Sequence, residues 1–303
     1  MKTKLFSVLA LSIALSGYAQ QNLWSPAPKN IRENLKPRWT KPTEFTLYKL
    51  DVSKLKSELK NAPMRFSGNE NLVVKFPSAD GSVKQYIVQE APVMEAVLQN
   101  QFPDIRSYVG WQKDHPENTI RFSMTPETGI NIMYFDGWEI SYLDPYTQDN
   151  GTFIFYKRKD LPKNDRLFEC HVEDALDEAA QNTAAKAALV TDGLFRTYRL
   201  ALAATGEYTT FHGGTSGAMS AMNVTMTRVN GVYEKTISST MVMIANNIQL
   251  VYTNAATDPY TNNNGSTMLG ENINNINSVI GFNNYDIGHV FSTGGGGVAY
   301  LGS

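Results

Sequence analysis

Strands and helices alternate over the last third of this 303-residue chain, and this alternation restricts the fold more than any other feature. Five segments follow one another as strand, helix, strand, helix and strand, at residues 194–205, 217–236, 241–252, 269–280 and 287–292. Strands that alternate with helices of this length are typical of βαβ units. We therefore expect a largely parallel sheet with right-handed crossovers. Four glycines at 294–297 and an apolar segment at 298–301 follow.

Each of the two predicted helices carries one apolar stripe, and the strand between them is apolar on both faces, as a central strand would be. The first helix is predicted to begin at an N-cap formed by Thr215 or Ser216, and the second to end at Gly281. The first stripe consists of Met222, Met226, Val229 and Tyr233. The second consists of Leu269, Ile273, Ile276 and Ile280, with asparagines on the opposite face.

Residues 20–178, called the N-terminal region below, have short apolar runs separated by tight turns, which predict an α+β fold rich in antiparallel strands. Strands are predicted at 44–51, 72–76, 85–88, 119–124, 130–135, 139–143 and 152–156, and helices at 52–60 and 93–98.

The composition changes near residue 190, which predicts two folding units. Residues 20–190 contain 44 charged side chains, whereas residues 191–303 contain 10 charged side chains and 14 asparagines. Residues 179–193 are predicted to be the linker because they begin with alanines and small polar residues that have little to bury. Residues 194–303 are called the C-terminal region below.

The first residues predict export. Residues 1–19 have a basic start, an apolar core at 5–15 and small residues before a cleavage site after Ala19, as a signal peptide does. That core is too short to span a membrane. The net charge of −2 gives no indication of nucleic-acid binding. The oligomeric state stays open.

Catalytic groups are sparse in this sequence. The four histidines, His115, His171, His212 and His289, include no pair spaced four residues apart, so no helix can present two of them to a zinc ion. We expect His115 and His212 at the surface and His289 in the core. No Gly-x-Ser-x-Gly motif occurs, and the glycine run lacks the lysine of a phosphate-binding loop.

The segment after the glycines has two interpretations. A strand that follows residues without side chains can be approached closely by another backbone, and such an edge can hold an extended peptide. The other interpretation is a flexible glycine loop with no role. The predicted edge strand consists of Gly297, Val298, Ala299, Tyr300 and Leu301.

Three segments of the C-terminal region together resemble the reprolysin-like zinc metallopeptidases of the metzincin group, in particular the exported, prodomain-bearing members found in bacteria. Residues 194–202 with 206–208 resemble the opening strand, and residues 223–230 with 232–234 resemble the first helix. Residues 285–292, the glycine run and residues 298–302 resemble the third strand and the edge strand above the cleft.

The resemblance implies a secreted zinc endopeptidase precursor that cleaves proteins or peptides with a zinc-activated water. The N-terminal region would be its prodomain, and residues 194–303 an α/β mixed-sheet half domain, the upper lobe of the catalytic domain. The His-Glu-x-x-His-x-x-Gly-x-x-His helix of the family is missing, so this chain holds no catalytic residue and no complete Zn²⁺ site. We therefore expect an inactive fragment; the alternative is an exported, non-enzymatic binding protein on the same scaffold.

Cys170 is the single cysteine. Some metzincin prodomains keep the enzyme latent through one cysteine, because a thiolate ligand displaces the water from the zinc ion. The resemblance makes Cys170 a candidate inhibitory switch, although the Pro-Arg-Cys-Gly context of the best-known switches is absent. The alternative is an ordinary buried cysteine.

Overall fold

A computed structural model describes residues 23–38, 41–68, 72–162, 170–173 and 193–300. The predicted signal peptide, all of the predicted linker except Gly193, and Leu301 lie outside these ranges. The described residues form an α+β structure with one large antiparallel sheet, one small parallel sheet and one further strand pair. None of the helices in these ranges is long and apolar enough to cross a membrane.

The N-terminal region forms the large sheet, in which every neighbouring pair of strands is antiparallel. The order of its nine strands is β1-β2-β9-β8-β7-β6-β5-β4-β3. They are β1 (Trp24–Ala27), β2 (Thr46–Leu50), β3 (Leu72–Pro77), β4 (Val83–Glu90), β5 (Arg106–Gln112), β6 (His115–Thr125), β7 (Gly129–Asp136), β8 (Glu139–Pro145) and β9 (Thr152–Lys157). Two helices, α1 (Val52–Leu59) and α2 (Ala96–Gln101), accompany them.

The C-terminal region forms the small sheet, in the order β12-β11-β13 and with parallel neighbours. Its elements are β11 (Arg196–Ala204), α3 (Gly206–Phe211), α4 (Thr215–Ile237), β12 (Ser239–Met243), α5 (Gly265–Val279) and β13 (Ile287–Phe291). The predicted alternation of strands and helices is thus confirmed. A separate parallel pair consists of β10 (Cys170–Glu173) and β14 (Gly297–Tyr300).

The predicted strand at 241–252 is wrong in its second half. Strand β12 ends at Met243, and hydrogen bonds from one buried asparagine side chain replace the strand pairing beyond it. After β12 the chain makes a short 3₁₀ turn at Asn247–Leu250. The side chain of Asn247 accepts a hydrogen bond from the Leu202 backbone N–H (2.7 Å) and donates one to its carbonyl (2.9 Å). One amide side chain thus satisfies the backbone of β11 where β12 has ended. Nor is β12 central, since it lies at one end of the small sheet.

Three predicted helix details are also wrong. The N-cap of α4 is Gly214 at φ 105°, and Thr215 is already helical. Tyr233 is 41% exposed, whereas the neighbouring Glu234 side chain is only 11% exposed. In α5 the buried side chains are Met268, Asn272 and Ile276, so one asparagine is inside while Ile273 is 44% exposed.

The N-terminal region differs from the prediction at several places, and β1 and β10 were not predicted as strands. Strand β5 was not predicted, although Arg106–Gln112 lies between β4 and β6 in the sheet. The helix predicted at 93–98 begins later, at Ala96. Residues 93–95 are instead extended and form a parallel bridge from Met94 to Met243 in β12.

The hydrophobic core is divided into several clusters, and one of them joins the two regions. The largest cluster lies within the N-terminal region and includes Phe76, Phe122 and Phe153. A second cluster combines Val93, Met94, Leu98 and Ile105 of the N-terminal region with residues of β11, α4 and β12. The compositional boundary near residue 190 therefore does not divide this core.

Candidate functional site

Strand β14 is the predicted edge strand, and the structure pairs its backbone with another strand of the same chain. The register of the parallel pair sets Cys170 opposite Gly297, His171 opposite Val298, Val172 opposite Ala299 and Glu173 opposite Tyr300. A strand from the end of the N-terminal region thus lies along the edge that was predicted to hold an extended peptide. Nothing in the sequence indicated this pairing, because 123 residues separate the two strands along the chain.

The glycine loop before β14 is fixed by the loop that precedes α5. The Asn262 side chain donates to Thr293 Oγ1 (2.8 Å) and accepts from the Thr293 backbone N–H (3.2 Å). A Cβ on Gly294 would lie 3.0 Å from Asn263 Cα, so a larger residue does not fit there. The run of glycines is therefore not simply a free loop, because its first residues are anchored.

The first turn of α5 supports β14 itself. A Cβ added to Gly265 would lie 2.4 Å from Val298 Cγ2, so this close contact depends on the missing side chain. Val298 is half-buried, while Gly297 and Ala299 are exposed. One residue of β14 therefore anchors the strand on α5.

A groove of about 1000 Å³ lies beside this strand and is lined by α5, β13, the glycine loop and β14. Apolar side chains are exposed in it, among them Ile273 (44%) and Phe282 (75%). Strand β13 pairs with β11 on one edge. Within the described ranges no strand pairs with its other edge. The groove thus combines an apolar surface with unpaired backbone.

Helix α5 is held by asparagine–tyrosine hydrogen bonds. Tyr260 Oη donates to Asn272 Oδ1 (2.9 Å) and accepts from Asn275 Nδ2 (2.9 Å). Tyr252 Oη donates to Asn275 Oδ1 (2.7 Å). Burial raises the pKa of Tyr260 above its ordinary value, so this hydroxyl stays protonated and remains a donor at neutral pH. The asparagines of α5 therefore fix the helix that supports the groove.

The start of β13 is fixed by an ion pair. The Arg199 guanidinium contacts both carboxylate oxygens of Asp286, with a shortest distance of 2.7 Å, and the Arg199 backbone N–H also donates to this carboxylate (2.7 Å). The hydrogen bonds from the Arg199 side chain and backbone lower the pKa of Asp286. This pair sets the register between β11 and β13.

An aromatic row lies at the other end of β13. His289 contacts Phe291 (ring centroids 5.3 Å apart), Phe291 contacts Tyr208 (5.4 Å), and Tyr208 contacts His212 (4.4 Å). The placement of His289 in the core was wrong, since the residue is accessible to solvent in the groove, although the surrounding groove walls desolvate the ring and lower its pKa. The surface placement of His212 was wrong in part: it is half-buried against Tyr208, and burial lowers its pKa.

The described residues contain no group of three or more His, Cys, Asp or Glu side chains that could hold a metal ion. His115 is exposed at the start of β6, as predicted, and bonds only Glu117 among them (3.2 Å). A zinc ion therefore does not fit the residues present. The described part of the chain offers the backbone edge of β14, which β10 covers, and an apolar groove beside it.

Comparison with known proteins gives one match. Residues 195–303 match the family model described as Metallo-peptidase family M12B Reprolysin-like. A search of curated proteins found no match. This part of the chain is therefore similar to reprolysin-like metallopeptidases, which confirms the resemblance predicted from the sequence.

Two glycines of α5 offer a matched test of how β14 is held. In Gly265→Ala the new methyl group meets Val298, and the stiff β-branched side chain must move, so β14 shifts. We expect faster amide hydrogen exchange across residues 297–300. Gly270→Ala is the control, since a Cβ there meets nothing within 4 Å. It should stabilise the protein by about 0.5–1 kcal/mol and leave exchange in β14 unchanged. Equal exchange in both variants would contradict the supporting role of Gly265.

Proposed function

We propose that this chain is the N-terminal part of a secreted zinc endopeptidase precursor. In this proposal residues 1–19 are the export signal, residues 20–178 the prodomain, residues 179–193 the linker that is cut, and residues 194–303 the upper lobe of the catalytic domain. The observation that carries the proposal is the similarity of residues 195–303 to the reprolysin-like metallopeptidases. Peptidases of this kind act on proteins or peptides and depend on zinc.

The zinc ligands are proposed to belong to a further segment of the protein. Two features of the groove support this: the exposed apolar side chains of Ile273 and Phe282 and the open edge of β13 among the described strands. An edge with unpaired N–H and C=O groups beside an apolar surface is suited to receive another strand. The alternative is a non-enzymatic binding protein that uses the same edge.

The coding sequence downstream of Ser303 separates these two proposals. For the peptidase we expect His-Glu-x-x-His-x-x-Gly-x-x-His within a few tens of residues, and one zinc ion bound by the complete protein. The metal content of the purified protein measures the second point. If the motif does not follow, the peptidase proposal fails and the binding protein is favoured.

Strand β14 is the proposed ledge for the substrate. Its backbone already holds a strand of this chain, and the exposed Gly297 and Ala299 leave room for an extended peptide to approach. In this view β10 covers the ledge in the precursor, and a substrate has access to it only after β10 has left.

Proline tests the ledge in the longer form of the protein that carries the zinc helix. Gly297→Pro or Ala299→Pro removes a backbone donor and fixes φ. We expect turnover of extended peptides to fall at least tenfold while the zinc content stays constant. Gly295→Ala is the control, because Gly295 precedes the strand and a Cβ there meets nothing within 4 Å. Unchanged turnover in both proline variants would show that β14 does not hold the substrate.

Cys170 remains the proposed inhibitory switch, and its place in β10, beside the ledge, is consistent with that role. In the unprocessed longer form, we expect Cys170→Ser to raise peptide turnover, because a serine hydroxyl is a far poorer zinc ligand than a thiolate. The assay compares both proteins before any cut in residues 179–191. If the serine variant is as inactive as its parent, the cover that β10 forms over β14 accounts for latency instead.

A further inference from the structure

Helix α4 carries the main interface between the two regions, and its contacting face is polar. The helix lies across β5, β6 and β7 of the large sheet. Ser107 Oγ of β5 donates to Asn223 Oδ1 (3.0 Å) and lies 3.0 Å from Thr227 Oγ1. All three side chains are buried. The contact thus depends on matched hydrogen bonds as well as on apolar area.

The close approach of α4 to the sheet depends on Gly231. A Cβ at this position would lie 3.0 Å from Arg121 Cγ and 3.0 Å from Phe135 Cε2. One turn later, Lys235 Nζ lies 5.4 Å from the centre of the Phe135 ring and 5.8 Å from that of Trp138. The helix therefore fits the sheet closely, and charged groups surround the contact.

A carboxylate lies at each end of α4. Near its C-terminal end Glu234 forms ion pairs with Arg121 and Arg65, the latter at 3.0 Å. The side chain of Glu234 is 11% exposed and that of Arg121 is 4% exposed. At the other end Glu127 accepts hydrogen bonds from Ser216 and Ser220.

A second ion cluster lies beside the middle of α4, around Asp144 in β8. The carboxylate of Asp144 contacts Arg228 of α4 and, at 3.9 Å, Arg38. The hydroxyl of Tyr156 donates to Asp144 as well (2.8 Å). Lys36 also acts on Asp144 electrostatically.

The N-terminal region also covers the outer edge of β12. The Met243 backbone N–H donates to the Val93 carbonyl (2.9 Å), and the Glu95 N–H donates to the Met243 carbonyl (2.9 Å). The Glu95 carboxylate accepts from the Ala245 N–H (2.9 Å). Residues 93–95 thus act as an added strand, and separation would leave this edge of β12 unpaired.

We propose that the N-terminal region is a separable partner of the C-terminal region, which stays bound after the linker is cut and is released by acid. This inference deepens the proposed function, because it treats residues 179–193 as the site of processing. Cutting alone then leaves β10 in place on β14, and activation needs a second step that removes the N-terminal region.

The polar contacts give the reason that the interface can separate. The Nε atoms of Arg65, Arg121, Arg228 and Arg38 are buried and have no hydrogen-bond partner among the residues that the structure describes. Each of these N–H groups can donate a hydrogen bond to water once the two regions part, which lowers the free-energy cost of separation. At neutral pH separation still has to break the ion pairs that Glu234 forms with Arg121 and Arg65 across the interface.

Acid removes the charges that hold the interface. Burial raises the pKa of Glu234, but the charges of Arg121 and Arg65 outweigh this effect, and the pKa lies below its ordinary value. For Glu127, hydrogen bonds from Ser216 and Ser220 likewise outweigh burial and lower the pKa. Because these pKa values are lowered, the contribution of the two carboxylates to binding is fully present above the ordinary carboxyl pKa of about 4.3 and is lost as the pH falls from there through the lowered pKa.

The test uses the full chain with a specific protease site placed within residues 179–191. After cutting, gel filtration at pH 7.5 should give one peak that contains both pieces, and at pH 3.5 two separate peaks. A return to pH 7.5 should restore the single peak, which excludes irreversible denaturation as the cause. Two peaks at pH 7.5, or one peak at pH 3.5, would overturn the proposal. Because association is measured and not turnover, the result does not depend on whether the protein is a peptidase.

Glu234→Gln tests the ion cluster at neutral pH with little change in shape. In the cut protein the dissociation constant of the two pieces, from sedimentation at pH 7.5, should rise at least tenfold. Thr236→Ala is the control, since Thr236 lies on the same turn of α4 and is exposed. The melting temperatures of both uncut variants, compared with that of the parent protein, check that each variant folds. Equal dissociation constants for folded Glu234→Gln and Thr236→Ala proteins would show that the cluster does not hold the interface.

Discussion

Helix α4 is buried on two sides, and the rest of the structure depends on this double contact. One face packs Met219, Met222 and Met226 against the small parallel sheet. An adjacent face meets the large antiparallel sheet through Asn223 and Thr227. The first contact uses the adaptable, apolar methionine side chains, and the second uses small polar side chains that let two backbones come close. Residues 93–95 add a second link, because they pair with the edge of β12.

Double burial explains which features of this helix could be predicted. The apolar stripe of Met222 and Met226 has helical spacing, so the sequence predicts both the helix and the face that packs on the sheet. The second face consists of Asn, Thr, Ser and Gly, which a pattern-based analysis assigns to solvent. Asn230 shows the difficulty: its side chain donates to the Met241 carbonyl (2.7 Å) and accepts from the Met241 N–H (2.9 Å). An asparagine that pairs with a strand cannot be distinguished by sequence from one that faces water.

The same physics limits the prediction elsewhere. The side chain of Asn247 hydrogen-bonds to the Leu202 backbone where β12 has ended. Asn272 of α5 is buried because its side chain hydrogen-bonds to Tyr260. Neither role follows from hydropathy. For the candidate site, the sequence identified β14 from the glycine run and the apolar segment after it. It could not identify β10 as the partner of β14, since strand pairing over more than a hundred residues depends on the completed fold.

The parallel pairing of β10 with β14 has a consequence for any peptide that competes for the same edge. Because β10 is part of the same chain, it encounters β14 at an effective concentration on the order of millimolar. A free peptide at micromolar concentration and equal affinity would then occupy about one edge in a thousand. A cut after residue 178 severs only the tether on one side of β10, which stays joined to the large sheet through β9. The local concentration of β10 therefore falls only when the large sheet itself moves away from α4.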